Sequence, residues 1–380
     1  MKKQILLTPG PSQVPPRVAE VAARPIIHHR TPEFREALAR IHKNLQCVMG
    51  TTGDVFILAS TGTGALEAGV ANTLSAGDKV LCAVAGKFGE RYSEICQAFG
   101  MNVVEIVKEW GGLVTADDVR KALESHPDTK AVFVTHSETS TGALHPLHEI
   151  GPVVREHGAL FIVDTVSALG GVPMKMDEWG IDMLAAGSQK ALMIGPGLAF
   201  LGMSARAWKA YETSTLPKFY FDMKHYKKRW EEKGETPFTS AVTLCLQVDE
   251  ALQMIMEEGL DNVIERHRRL SRACKAGVAA MGLKFYSENR SDIETVVRVP
   301  DGIDGVALVS MAQERFGIKL SGGQAQVKGK IIRIAHMGYA TEQDVILALS
   351  ALEMCLARMG FDAPLGAGVK AAEEVFQNEM

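Results

Sequence analysis

Seven short apolar runs alternate with helix-forming stretches from about residue 54 onward, and this alternation restricts the fold more than any other feature of the chain. The strand candidates are Val55–Ala59, Lys79–Val84, Asn102–Val107, Lys130–Thr135, Ala159–Asp164, Asp182–Ala186 and Leu198–Gly202. Helices are predicted at Ala65–Leu74, Gly89–Phe99, Ala116–Glu124 and Leu147–Glu156. A strand–helix alternation favours an α/β fold with a mostly parallel sheet, helices on both faces, and ligands at the carboxyl ends of the strands.

The remainder of the chain alternates more loosely and predicts a smaller α+β domain. Two long helices are expected at about 240–258 and 262–280, then strands at 295–299 and 331–335 and a helix at 341–359. Residues 218–237 show no clear periodicity, so a long surface excursion is expected there. The tail at 366–380 is typical of a frayed helix.

Composition excludes several classes of protein. With 380 residues, 46% of them hydrophobic, the chain is long enough to bury a sizeable core, in two domains or in one large domain with an appendage. A formal net charge of −4 argues against nucleic-acid binding, which requires a basic face. No apolar run approaches the roughly 18 residues that span a membrane.

The cysteines and histidines point to neither a disulfide framework nor a metal centre. The six cysteines are scattered without a C-x-x-C pair or a secretory leader, which is typical of reduced thiols in a cytoplasmic protein. The histidines, including His28 and His29, have no regular ligand spacing, so no metal site is expected.

One lysine stands in a position suited to covalent chemistry. Lys190 follows the apolar run 183–186 and precedes a Gly-Pro-Gly turn at 195–197. A strand end that holds a primary amine in a tight loop suits imine formation, because partial burial favours the neutral, nucleophilic amine. The alternative is a solvated surface lysine.

A carboxylate is expected near this lysine. Asp164 ends the buried run 159–164, so both side chains fall at carboxyl ends of strands in one sheet. A lysine and an acid are what pyridoxal 5′-phosphate requires: an amine for the Schiff base and an anion that keeps the pyridine nitrogen protonated. Asp164 could instead cap a helix or stabilise a turn.

A third element suits a phosphate group. The segment Ser60-Thr61-Gly62-Thr63-Gly64 lies between a predicted strand and a predicted helix. Such a turn offers free backbone N–H groups, hydroxyl donors and the positive end of a helix dipole. A capped helix without a ligand is the alternative. Neither the dinucleotide nor the Walker glycine pattern is present, which disfavours nucleotide binding.

Together these segments resemble the class V, fold-type I pyridoxal-phosphate-dependent aminotransferases, in the alanine–glyoxylate and serine–pyruvate branch. Further matching stretches run through nearly the whole chain, at 7–17, 86–91, 136–142 and 330–334. The resemblance implies a large domain at 16–258 with a mostly parallel seven-stranded sheet between helices, and a smaller C-terminal domain at 259–380. The segment 1–15 would pack near the active site.

The resemblance also implies roles for individual residues around the cofactor. Lys190 would form the Schiff base and shuttle the proton, while Asp164 would hold the pyridine N–H. Val166 and Phe88 would cover the two ring faces, with Phe88 replacing the tryptophan that is common in the family. The phosphate and the polar edge of the cofactor would be contacted by Thr61, Gly62, Thr63, Gln189 and Thr139.

Substrate binding and assembly are implied in the same way. Arg333 would hold the substrate carboxylate through two parallel N–H···O bonds, with a surface ion pair as the alternative. Gly10 would line the small-substrate side. The family's active sites lie at a homodimer interface, where Thr236 of the neighbouring subunit would reach the phosphate, with Thr239 as the competing candidate.

The expected function is transamination from alanine or serine to glyoxylate or pyruvate. 2-Aminoethylphosphonate–pyruvate transamination is the alternative in a neighbouring branch. Cysteine desulfuration is less favoured because the matching loop at 320–324 lacks a cysteine. A non-enzymatic scaffold has no need to retain Lys190, Asp164 and Arg333 together. The sequence does not choose among amino donors and oxo acids.

Overall fold

A central seven-stranded sheet organises the first two thirds of the protein. The computed structural model describes residues 4–379. Its strands are β1 (Ile5–Leu6), β2 (Asp54–Leu58), β3 (Lys79–Val84), β4 (Asn102–Val107), β5 (Ala131–Thr135), β6 (Ser137–Glu138), β7 (Ala143–Leu144), β8 (Leu160–Asp164), β9 (Met183–Gly187), β10 (Ala199–Met203), β11 (Glu294–Arg298), β12 (Ile318–Lys319), β13 (Ser321–Gly322) and β14 (Ile331–Ala335).

The large sheet has the order β2-β10-β9-β8-β5-β3-β4. Strand β10 runs antiparallel to both of its neighbours, and the other four pairings are parallel. Because two antiparallel pairings restore the direction, β2 points the same way as β9, so the ends of β2, β8 and β9 lie at one edge. The predicted α/β class and the mostly parallel seven-stranded sheet are confirmed.

Helices cover both faces of this sheet. The α-helices of the described residues are α1 (Pro16–Val21), α2 (Pro32–Met49), α3 (Gly62–Thr73), α4 (Lys87–Ala98), α5 (Ala116–Ser125), α6 (Leu147–His157), α7 (Ala205–Tyr211), α8 (Met223–Lys233), α9 (Val242–Glu258), α10 (Leu260–Ala280), α11 (Gly305–Met311), α12 (Glu342–Arg358) and α13 (Ala367–Asn378), of which the last four belong to the C-terminal part. Successive strand residues alternate between two cores: Phe161 packs in one and Ile162 in the other. This period of two is why strands buried on both faces read as continuous apolar runs.

A second, smaller sheet lies in the C-terminal part of the chain. Its order is β11-β14-β13 with antiparallel pairings, and helices α10, α12 and α13 share a core with it. The N-terminal strand β1 pairs in parallel with β12, so the segment before α1 joins this part of the protein. The domain boundaries at 16–258 and 259–380 stay a prediction.

The prediction of a long surface excursion at 218–237 is wrong, because helix α8 occupies the centre of this segment. The Asp222 side chain accepts from Lys224 N, and the helix ends at Gly234 in the left-handed region. Only Met223 and Tyr226 are buried, so the helix leaves too few apolar positions to produce a periodic pattern.

The prediction of a frayed helix at the tail is also wrong in one respect. The tail is helical, as expected, but the helix is packed against the protein. Helix α13 packs against α10 and α12 and buries Ala372 and Phe376. The carboxylate of Glu353 accepts from Gly366 N at 2.9 Å and from Gly368 N at 2.6 Å, which satisfies N–H groups at the helix start. Met380 lies outside the described residues.

Helices α1 and α2 were not predicted from the sequence. Helix α2 has ordinary start and stop signals: the Thr31 hydroxyl accepts from Phe34 N, Pro32 is its first residue, and Gly50 ends it in the left-handed conformation. Within residues 4–379, no helix is both long enough and apolar enough to cross a membrane.

Candidate active site

The three segments singled out from the sequence meet at one edge of the large sheet. Asp164 ends β8, Lys190 lies in the turn after β9, and the 60–63 loop follows β2. A Cβ built on Gly62 would approach Val166 Cγ2 to 2.5 Å, and one built on Gly187 would lie 3.1 Å from both Val166 and Gln189. The backbones of Gly62 and Gly187 therefore lie close to the side chains of Val166 and Gln189, which brings the glycine loop and these two residues together.

The turn that carries Lys190 is held by the N-terminal segment. Lys190 Nζ donates to the carbonyl of Pro9 at 2.5 Å. The Ser12 hydroxyl donates to Lys190 O at 2.6 Å, and Ser12 N donates to Gln189 O at 3.0 Å. These bonds fix the lysine in place, and Lys190 is not a solvated surface residue.

Burial lowers the pKa of Lys190 to about 8, although the carboxylates of Glu294 and Asp164 oppose the shift. An amine with this pKa is partly neutral near pH 7 to 8, whereas an ordinary lysine is almost fully charged there. The local environment therefore increases the fraction of nucleophilic amine.

Asp164 is a buried carboxylate that accepts few hydrogen bonds from the surrounding protein. Its side chain Oδ1 accepts from Val166 N at 2.8 Å. Burial raises the pKa of Asp164 to about 6, while the Val166 N–H and the charges of Lys190 and Arg91 act in the opposite direction. A cationic N–H group placed opposite this carboxylate would restore its ionised form, as a pyridinium does.

The start of helix α3 and the amide of Gln189 offer donors to an anion. Thr61 is the N-cap of α3, yet its side chain makes no capping hydrogen bond. The Oε1 atom of Gln189 is buried without a hydrogen-bond partner among residues 4–379. Free N–H groups at the positive end of a helix fit a phosphate, whereas Gln189 Oε1 is an acceptor, so this side chain would contact a phosphate through its Nε2.

Phe88 occupies the first turn of helix α4, and its position depends on Glu138. The buried Glu138 Oε2 accepts from Phe88 N at 3.0 Å and from Gly89 N at 2.9 Å. The Arg91 guanidinium lies over the Phe88 ring at 5.0 Å from its centre. The sequence analysis assigned no role to Glu138. Its position within the 136–142 segment, which matches the family, is the feature that could have indicated one.

Arg333 is directed inward and held by two backbone carbonyls. Its Nη1 donates to Thr139 O at 2.7 Å, and its Nε donates to Gly322 O at 3.0 Å. Arg333 is 5% exposed, so it is a buried residue and not a member of a surface ion pair. Two carbonyls orient the guanidinium and leave Nη2 for a ligand.

Thr139 is buried in the same region. Its hydroxyl lies 3.5 Å from that of Ser167, while its carbonyl holds Arg333. Gly10 lies directly against the side chain of Lys190, in a conformation with φ +129 that side-chain-bearing residues rarely adopt. Of the sequence-predicted residues, Thr139 therefore contacts Arg333, and Gly10 contacts Lys190.

Thr236 belongs to a different part of the chain surface. Its hydroxyl donates to Phe238 O at 2.9 Å and lies 2.6 Å from the Ser240 hydroxyl. Arg30 donates to Thr236 O at 2.8 Å and to the neighbouring Glu235. Thr236 and Thr239 both line a small cavity beside Ala59, so the geometry does not choose between them.

Glu294 is the second acidic residue that sequence reasoning missed. It begins β11, is 1% exposed, and neither carboxyl oxygen has a hydrogen-bond partner within residues 4–379. The sequence feature that could have indicated Glu294 is an acidic residue directly before the β-branched residues 295–297. Within the same residues, no group of three His, Cys, Asp or Glu side chains could hold a metal ion.

A family model described as aminotransferase class-V matches residues 6–347. The chain belongs to the class V aminotransferases. A Synechococcus protein named as the small subunit of a soluble hydrogenase is 43% identical over 98% of each chain. An L-aspartate–glyoxylate aminotransferase from Paracoccus denitrificans is 36% identical, over 98% of this chain and 96% of its own.

The structural comparison agrees with the family. The crystal structure of an alanine–glyoxylate aminotransferase from Nostoc is similar with a TM-score of 0.90 at 34% identity, covering 94% of this chain and 96% of its own. The expected fold-type I architecture and membership of the glyoxylate branch are confirmed. This class V aminotransferase is an enzyme.

Proposed function

We propose that this class V aminotransferase uses pyridoxal 5′-phosphate to move an amino group from alanine or serine to a small 2-oxo acid, with glyoxylate as the preferred acceptor. One observation carries the proposal: Lys190, with its pKa lowered to about 8, lies at the same sheet edge as Asp164, and the charges of Asp164 and Arg333 act on its pKa. A nucleophilic amine, a buried anion and a carboxylate-binding guanidinium are the three groups that the reaction requires. Glyoxylate is the acceptor in the names of two relatives of different donor specificity.

The residues around Lys190 fit the cofactor. Pyridoxal phosphate, when bound, supplies an aldehyde that exchanges amino groups and a ring that withdraws electrons from the substrate Cα. Asp164 would face the ring nitrogen, since its carboxyl is buried with a single backbone donor. The free N–H groups at 61–63 and the Gln189 amide would hold the phosphate. Phe88 and Val166 would cover the two ring faces, and Thr139 would contact the polar edge.

Proton transfer and substrate orientation would then fall to two side chains. Lys190, once released, would accept the proton from the substrate Cα, because its lowered pKa keeps part of the amine neutral. Arg333 would bind the substrate carboxylate and thereby fix the orientation of the Cα–H bond. The Pro9 carbonyl, which accepts from Lys190 Nζ at 2.5 Å, would keep the amine close to both.

A homodimer with shared active sites is part of the proposal. Thr236 makes only local hydrogen bonds, to Phe238 and Ser240, and Arg30 holds its backbone. A rigid surface threonine of this kind is suited to contact a phosphate bound in another subunit. Sedimentation velocity should give a dimer, and Thr236→Val should lower cofactor affinity more than Thr239→Val. The reverse order would assign the contact to Thr239. The cytoplasmic location stays a prediction.

The central experiment follows the absorbance of the cofactor-loaded protein. Stoichiometric alanine or serine should bleach its visible band, and glyoxylate should restore it. Borohydride reduction followed by peptide mapping should place the cofactor on Lys190, and Lys190→Ala should show neither the band nor activity. A label at another residue, bleaching by 2-aminoethylphosphonate alone, or sulfide release from cysteine would contradict the proposal.

A further inference from the structure

The carboxyl group of Glu294 is buried without any hydrogen-bond partner among residues 4–379. It is 1% exposed, and both of its oxygens are unpaired. Leaving a buried polar group unsatisfied costs about 1–3 kcal/mol, and more for a charged group. Buried groups that retain such a cost are typical of ligand-binding positions.

The backbone places this carboxyl on the face of the small sheet that carries Arg333. Glu294 pairs with Ala335 and Val296 pairs with Arg333 across β11 and β14, so the four side chains share one face. On that face Val296 packs against the backbone at Gly142, and Arg333 bonds to Thr139 O. Glu294 therefore points toward the loop that lines the active site.

The charged groups that act on the pKa of Glu294 belong to the candidate active site. They are Arg333, Lys190 and Glu138, in order of their effect on its carboxyl. Among charged neighbours, Glu294 has a larger effect on Lys190 than Asp164 has. Glu294 thus shares a sheet face with Arg333, and its carboxyl acts on the pKa of Lys190, which places it among the groups that an amino acid substrate would meet.

We infer that Glu294 determines substrate specificity by binding a hydroxyl group on the side chain of the amino donor, so that the enzyme prefers serine to alanine. The inference rests on the proposed function, because it requires Lys190 and Arg333 to position the donor. It names the substrate class that the same site would favour.

The chemistry of the carboxyl suits a hydroxyl partner. Burial raises the pKa of Glu294 to about 8, so near pH 7 the group is protonated, with one O–H to donate and one carbonyl oxygen to accept. A serine hydroxyl has the same pair of functions, whereas the alanine methyl group leaves both unpaired.

The first test measures binding without the reaction. Calorimetry on the cofactor-loaded protein would compare 3-hydroxypropionate with propionate, which are serine and alanine without their amino groups. We expect 3-hydroxypropionate to bind about tenfold more tightly than propionate, which corresponds to one well-made hydrogen bond. Equal affinities, or failure of 3-hydroxypropionate to bind, would overturn the inference.

Variants then assign the preference to Glu294. Glu294→Leu should reduce kcat/KM for serine about tenfold and leave that for alanine within about threefold, since only one hydrogen bond is lost. Glu294→Gln should keep most of the preference, because an amide both donates and accepts. Glu353→Gln is the matched control: it is a buried acid near α13, and its substitution should leave the serine-to-alanine ratio unchanged.

Two outcomes separate the inference from the function on which it rests. Equal losses for serine and alanine in Glu294→Leu, with a shifted pH profile, would show that Glu294 acts through Lys190 and would overturn the specificity role. Failure of every amino donor to bleach the cofactor would refute the proposed transamination, while the calorimetric preference would still decide whether Glu294 binds a hydroxyl.

Discussion

Gly10 lies directly against Lys190. A Cβ built on Gly10 would overlap Lys190 Cδ and Nζ, and the carbonyl of the preceding Pro9 accepts from the same amine at 2.5 Å. The N-terminal segment, which pairs with β12 in the C-terminal part of the protein, thus forms one wall of the site at the edge of the large sheet. Loss of this contact should affect the lysine before it affects the fold.

Gly10→Ala should displace the Lys190 side chain. We expect cofactor loading to fall at least about tenfold, because the methyl group clashes and because φ +129 carries a strain of about 1–3 kcal/mol for alanine. Absorbance titration with pyridoxal phosphate measures the loss. Gly360→Ala is the matched control: it has φ +86 with no atom within 4 Å, so it should carry strain but bind the cofactor normally.

Condensation of the cofactor with the cofactor-free protein should follow the titration of Lys190. Burial lowers the pKa of this lysine from 10.5 to about 8, and only the neutral amine reacts, so the rate should rise with pH around a midpoint near 8. Stopped-flow absorbance at a series of pH values gives the midpoint. Asp164→Asn should move it lower, because the carboxylate favours the charged lysine. A midpoint near 10.5 would contradict the burial of the amine.

Asp164→Asn should nearly abolish transamination and leave the local structure intact. The amide Oδ1 can still accept from Val166 N, a bond of 2.8 Å in the native protein, but a neutral amide cannot keep the cofactor ring protonated. We expect kcat to fall by about 10³-fold or more, the scale of a lost essential charge. Single-turnover kinetics with alanine would measure it. Asp182→Asn, a buried carboxylate at the opposite end of β9, should retain kcat.

The same substitution should change how stability depends on pH. Burial raises the pKa of Asp164 from 3.8 to about 6, so its stabilising effect is complete below pH 3.8 and is lost as pH rises through 6. The loss amounts to at most about 3 kcal/mol. The stability of cofactor-free Asp164→Asn relative to the cofactor-free native protein, measured by thermal unfolding, should therefore be higher at pH 7 than at pH 4. An unchanged difference would show that the carboxyl titrates normally.

Arg333→Lys should weaken substrate binding while cofactor binding is retained. Lysine keeps the charge but cannot bond to both Thr139 O and Gly322 O, and it cannot present a fork to a carboxylate. We expect KM for glyoxylate to rise about 10–100-fold, from the loss of about 1.4–2.8 kcal/mol of binding. Arg298→Lys on β11, an exposed arginine over the Tyr286 ring, should leave KM unchanged.

The sequence by itself determined the large sheet and most of the candidate functional residues at its edge. Strand 79–84 was predicted with the bounds that the structure shows, because a buried parallel strand is a continuous apolar run between clear turns. Strand 102–107 lies at the sheet edge and is partly exposed, but its β-branched residues and the turns around it gave the correct bounds. Asp164 and Lys190 follow such runs directly, so their meeting at one edge follows from strand direction. Helix α8 escaped prediction because only two of its residues are buried.

Only the tertiary structure decided which distant groups complete the site. Pro9 and Gly10 reach Lys190 through the pairing of β1 with β12, and Glu294 faces Arg333 through the register of β11 with β14. Glu138 supports Phe88 through backbone bonds to a helix start 50 residues away in the chain. Local periodicity carries no information about such pairings, because they depend on how separate elements pack. Burial, which sets the pKa values of Lys190, Asp164 and Glu294, arises from the same packing.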